Sequence, residues 1–201
     1  MKDDITILYI DDKLDSNISK YLHEVMEVEG YKINEMIFSI TENLESIINS
    51  NELKSADIVL IDSKLFEEET SDEFFNGEEV KTIIRKNYPY KEVFVITQNE
   101  LNDNIQWIPK YNCQEENFLD FSRIKEHYDS VLKQRIDSSS ANIREYRYII
   151  GKTHSEKLKN EFEHLNRILN SEIEYEDMSK DDIDRLINEF KEINKLLNED
   201  K

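Results

Sequence analysis

The sequence predicts an α/β fold: a doubly wound, five-stranded parallel sheet followed by an α-helical C-terminal extension. Three observations predict it. Short apolar runs alternate with segments of helical periodicity, the pattern of strand–helix–strand units with right-handed crossovers. The runs are continuous rather than alternating, which suits strands covered on both faces. Only 3 Gly and 2 Pro occur in 201 residues, too few for a loop-rich or all-β protein.

The elements follow in order. ITILYI (5–10) reads as the first strand, and Ile18, Leu22 and Val25 place a helix over 15–28. INEMIFSI (33–40) is the second strand, with a helix over 42–50 on Leu44, Ile47 and Ile48. ADIVLI (56–61) is the third, followed by a helix over 78–87 on Val80, Ile83 and Ile84. EVFVIT (92–97) is the fourth and the shorter IQWI (105–108) the fifth. Thr97 and Lys110 are only 13 positions apart, so the helix between the last two strands is reduced or missing.

From 116 the pattern turns helical, with Phe118, Phe121, Ile124, Tyr128, Val131 and Leu132 on one stripe to about 135. DSSSAN (137–142) reads as a linker or helix junction, which divides the chain into 1–136 and an extension, 137–201. Gly151 suits a helix stop, while Thr153–Glu156 and Ser179–Asp182 suit helix starts. Leu158, Phe162, Leu165 and Leu169 step by threes and fours, as do Ile183, Leu186, Phe190, Ile193 and Leu197. Each set forms a narrow apolar seam, so 142–201 is expected to end in a helical hairpin. Such a seam cannot bury itself alone: it must pack on residues 1–136, pair with another copy or hold a partner helix, and homodimerisation or docking of a protein target is expected.

Charge limits the partners. The chain carries 45 acids against 26 bases, a formal net of -19. A field of that sign repels phosphate backbones and anionic bilayers, so neither nucleic acid nor membrane is an expected partner. The tail beyond 135 holds 16 acids and 11 bases, without a clustered basic recognition helix. One cysteine, Cys113, excludes an internal disulfide or a multi-cysteine metal site. No charged-then-apolar leader opens the chain and no apolar run approaches ~18 residues, so a cytoplasmic location is expected. His23, His127, His154 and His164 stand isolated on helical patterns, without metal-ligand spacing, and read as surface positions.

In an open parallel sheet, ligands gather at the carboxyl ends of the strands. Here those ends carry Asp11 and Asp12, then Asp62, then Thr97, then Lys110. Crowded carboxylates are costly unless a hard cation such as Mg²⁺ bridges them. A carboxylate can also accept a phosphoryl group as a nucleophile. Mg²⁺, an ammonium and a hydroxyl would then meet the charge on the transferred oxygens.

This ordered set resembles the receiver domain of two-component response regulators over about 1–135. ITILYIDDK resembles the family's opening strand, ADIVLIDSKL its acceptor strand, NGEEVKTIIRKNYP the following helix, and VFVIT its switch strand. The resemblance implies a bacterial signal-transduction phosphoprotein in which Asp11, Asp12 and Asp62 bind Mg²⁺. It implies that a histidine kinase or phosphotransfer protein phosphorylates Asp62, and that Thr97 and Lys110 sense the phosphoryl group. Trp107 falls where the family carries its switch aromatic.

The chain also departs from the pattern. Asp62 and Gly77 are 15 positions apart, with an acidic insertion between them and Phe66 where a proline is common. Pro109 precedes Lys110, whereas in the family a proline follows the lysine, so the alignment of Lys110 stays open. Two functions remain: a phosphorylated signalling protein with output through the helical tail, or a phosphorylation-independent pseudo-receiver acting as an adaptor. An enzyme is not expected. A phosphohydrolase of the haloacid dehalogenase type would need a second Asp two residues after the nucleophile, and position 64 is Lys.

Overall fold

The computed structural model describes residues 4–38, 44–65, 75–98, 107–112, 121–152, 163–165 and 167–168. Five strands form one parallel sheet: β1 (Thr6–Asp11), β2 (Lys32–Ile37), β3 (Ile58–Asp62), β6 (Glu92–Thr97) and β7 (Ile108–Pro109). Between β3 and β6 a two-residue antiparallel ribbon, β4 (Lys64–Leu65) with β5 (Phe75–Asn76), joins the ends of the acidic insertion. The sheet order is β2-β1-β3-β6-β7. Counting only its own strands, this is the 2-1-3-4-5 order of flavodoxin-like and receiver folds, which places β1 and β3 side by side at the centre.

Alternation along each strand feeds two cores. Ile7 and Tyr9 of β1, Ile58 and Leu60 of β3, and Ile96 of β6 face one layer. That layer is α1 (Ser16–Tyr21) with its π-helical continuation (Leu22–Met26), α5 (Phe121–Tyr128), a second π-helical turn (Asp129–Lys133) and α6 (Gln134–Lys152). Leu8, Ile10, Val59, Ile61 and Val93 face the other. There they meet α2 (Leu44–Asn49), α3 (Asn51–Ser55) and α4 (Gly77–Asn87). Each fully buried Ile, Leu or Val contributes about 1.5–3 kcal/mol, which is why the uninterrupted runs set the fold. Gly30, at φ 96, turns the chain out of the first helical segment into β2.

Three expectations are corrected. The serine run at 137–142 is the interior of α6, not a linker, and this helix runs unbroken across position 136/137. Ser140 is buried and its Oγ donates to the Ile136 carbonyl at 2.7 Å, so its hydroxyl is satisfied without leaving the helix. Ile136 and Ile143, on either side of the serines, join the same core as Tyr128 and Leu132. Gly151 lies inside the last turn of α6 rather than beyond it. The fifth strand begins at Ile108, after Trp107.

The stretch 99–106, where a reduced or missing crossover helix is expected, lies outside the described residues, as do Cys113 and His154. So do Leu158, Phe162, Leu169, Leu186, Phe190, Ile193 and Leu197 of the seams. Of the seams' residues Leu165 is described, and it is buried. Ile168 nearby is buried too and lines a small cavity with Ala56, Tyr88, Ile143 and Arg147. No helix among the described residues is long and apolar enough to cross a membrane.

Candidate functional site

The central strands end in the acidic residues. β1 and β3 run in parallel register through Ile10 and Ile61, so Asp11 and Asp62 close the two strands side by side. The backbone around Asp62 is fixed on both sides. Ser63 N–H donates to the Ile96 carbonyl at 2.8 Å, and Gly77 N–H donates to the Ser63 carbonyl at 3.0 Å. Gly77 opens α4 directly against this turn, and a Cβ there would collide with the Asp62 carbonyl oxygen. Glycine is required at 77 by close approach. Asn76 caps α4 by accepting from Glu79 N–H at 2.9 Å, and Glu79 answers by accepting from Asn76 N–H at 3.1 Å.

The structure brings Asp11, Asp12 and Asp62 together, with one carboxylate oxygen of each within 4.8 Å of the others. Lys110 joins them from β7's end. Its Nζ lies 2.8 Å from Asp62 Oδ1 and 3.2 Å from Asp11 Oδ2, with all three side chains nearly out of solvent. The backbone delivers it there, because Lys110 N–H donates to the Thr97 carbonyl at 2.7 Å. Thr97 itself is fully buried at the end of β6. Asp11 Oδ1 accepts from Lys13 N–H at 3.1 Å, and Asp62 Oδ2 from Lys64 N–H at 3.2 Å.

Burial raises the Asp62 carboxyl above its ordinary value of 3.8; the Lys110 ammonium pulls it back, and Asp11 pushes it up again, leaving it raised. Burial lowers Lys110, but Asp62 and Asp11 outweigh it, so the ammonium is held above its ordinary 10.5. The two directions have different causes: burial keeps Asp62 raised despite the Lys110 ammonium, whereas two carboxylates outweigh burial at Lys110.

Sequence reasoning missed two contributors. Tyr9, fully buried two residues before Asp11, donates its hydroxyl to Asp11 Oδ2. An aromatic inside an apolar strand carries no sequence signal of that role. His127 is not a free surface position: its Nε2 is 2.8 Å from the Pro109 carbonyl, beside Lys110. Next to it, Tyr111 N–H donates to Tyr128 Oη at 3.1 Å, so α5 clasps the segment that carries the lysine. Trp107 is tied to α4, its Nε1 donating to Glu78 Oε1 at 2.6 Å.

No protein-family model matches the chain, and no curated protein matches it. Among solved structures it is similar to the two-component response regulator RcsB in a DNA complex, at 14% identity and TM-score 0.38. That alignment covers 86% of this chain and 94% of that one. It is also similar to the lysine decarboxylase LdcF of Francisella novicida, at 12% identity and TM-score 0.33. There 78% of this chain is covered but only 21% of that one. Similarities this low carry no functional argument; the strand order and the rim of this chain do.

Proposed function

We propose that the chain is a phosphoacceptor signalling module of the receiver type, with Asp62 as the acceptor. The observation that carries this reading is the convergence of Asp11, Asp12, Asp62 and Lys110 at the carboxyl ends of adjacent strands. An Asp62 oxygen would attack the phosphorus of a phosphohistidine on a kinase or phosphotransfer protein. The P–N bond breaks, the imidazole leaves, and an aspartyl phosphate forms. Lys110 is already in hydrogen-bond reach of Asp62 and meets the charge on the incoming phosphoryl group.

The donor set suits Mg²⁺, since three carboxylates offer hard oxygens within one ion's reach. Asp11, Asp12 and Asp62 would hold the ion, which supplies charge neutralisation for the phosphoryl oxygens. Output would pass to a protein target or a second copy through 142–201. A second reading, a phosphorylation-independent adaptor, draws on the same Lys110, whose ammonium lies in ion-pair reach of both Asp11 and Asp62 and could serve as a structural tie there.

Beryllofluoride with Mg²⁺, a mimic of aspartyl phosphate, separates the two. Trp107 is the chain's one tryptophan, tied to the helix that begins against Asp62. Its fluorescence should shift with the mimic in wild type and stay unchanged in Asp62→Asn. Silence in both would favour the adaptor.

A further inference from the structure

Tyr9 sits at a fully buried core position whose ring a phenylalanine would reproduce. It belongs to the same buried cluster as Ile7, Ile18, Leu60 and Tyr128 and has no solvent exposure. A hydroxyl taken into such a place without partners is costly, so the partners of this oxygen matter. That oxygen has two partners. It donates to Asp11 Oδ2, and it accepts from the Asp15 N–H at 3.2 Å. Asp15 in turn caps α1, its carboxylate accepting from Asn17 N–H at 2.8 Å and Ile18 N–H at 3.2 Å. One buried phenol therefore holds the Asp11 carboxylate and also pins the far end of the loop that carries Asp12.

We propose that Tyr9 is the positioning residue of the cation site: it orients the Asp11 carboxylate and ties the 11–15 loop to β1, so that Asp11 and Asp12 present their oxygens beside Asp62. The proposal rests on the reading of Asp11, Asp12 and Asp62 as divalent-cation ligands. Three hydrogen bonds then fix the Asp11 carboxylate: Tyr9 and Lys110 on Oδ2, and Lys13 N–H on Oδ1. Tyr9 is the one that comes from the core side. Groups that orient a metal-binding side chain typically govern affinity by 10–100-fold.

The test is Mg²⁺ titration of the full chain by calorimetry. Tyr9→Phe keeps the ring and should weaken Mg²⁺ affinity by about tenfold or more. Tyr21→Phe is the control. It deletes a hydroxyl from the same core, one that donates to Asp129 Oδ1 at 2.9 Å, and it should leave affinity unchanged. Thermal unfolding reports whether each variant folds, and affinity is read below each variant's own transition, so a destabilised Tyr9→Phe still gives the readout. Wild-type binding that is lost in Asp62→Asn but unchanged, within about twofold, in Tyr9→Phe would overturn the role of Tyr9 alone. Equal weakening by Tyr9→Phe and Tyr21→Phe would overturn it too, as a general core effect. No Mg²⁺ uptake by wild type would overturn the cation site and Tyr9's role together.

Discussion

Strand β3 has a buried aspartate at each end, and the two are built differently. Asp57, just before the strand, pairs with Arg147 of α6, Nη2 to Oδ1 at 2.6 Å, with both side chains more than nine-tenths buried. Its other oxygen accepts from Thr6 N–H at 2.9 Å, while Asp57 N–H donates to the Thr6 carbonyl at 2.8 Å. The pair clasps β1, β3 and α6 together. At the far end Asp62 shares a single ammonium with Asp11, and Asp12 stands beside them. The same residue type on one strand, buried to a similar degree, thus sits in an ion pair with a helix α6 arginine at one end and among three carboxylates around a lysine at the other. The partners each aspartate meets, not its burial, distinguish the two ends.

The largest effect should come from breaking the closed end. Arg147→Ala leaves Asp57 buried without its cation, and losing one member of such a pair costs about 3–5 kcal/mol. Urea unfolding monitored by circular dichroism measures it. A loss below about 1 kcal/mol would mean the pair is no more than a surface bridge and the contrast between the two ends is false.

A smaller effect with the opposite sign is expected at the open end. The Asp62 carboxyl is raised above 3.8, by burial first and by Asp11, against the pull of Lys110. A raised acid contributes its stability below 3.8 and loses it as pH rises through the folded-state value. Asp62→Asn, which mimics the protonated carboxyl, should therefore be more stable than wild type at neutral pH without Mg²⁺. The gap should close as pH falls towards 3.8. Thermal unfolding of both proteins across that range checks it. Asp62→Asn that is less stable than wild type at neutral pH would mean that the Lys110 ammonium outweighs burial at Asp62.

The two ends were unequally legible in the sequence. The rim is readable because a parallel sheet gathers its ligands at the strand ends, and Asp11, Asp12, Asp62, Thr97 and Lys110 stand there in order. The clasp is not, because Asp57 and Arg147 are 90 residues apart and neither belongs to a recurring motif. The serines at 137–142 mislead for a local reason. Serine competes for backbone hydrogen bonds and favours helix ends, yet here Ser140 satisfies itself on the Ile136 carbonyl inside α6. Tyr9 was hidden because its ring obeys the strand's apolar pattern while its hydroxyl serves the rim.

The central claim, that the anion-rich end is a phosphoacceptor site, is tested most directly by intact-mass spectrometry after incubation with phosphoramidate and Mg²⁺. Wild type should gain one phosphoryl group, lose it on hydrolysis, and gain none when the metal is chelated. Asp62→Asn should gain none under any condition. Wild type that stays unmodified, or Asp62→Asn that is modified equally, would contradict the account.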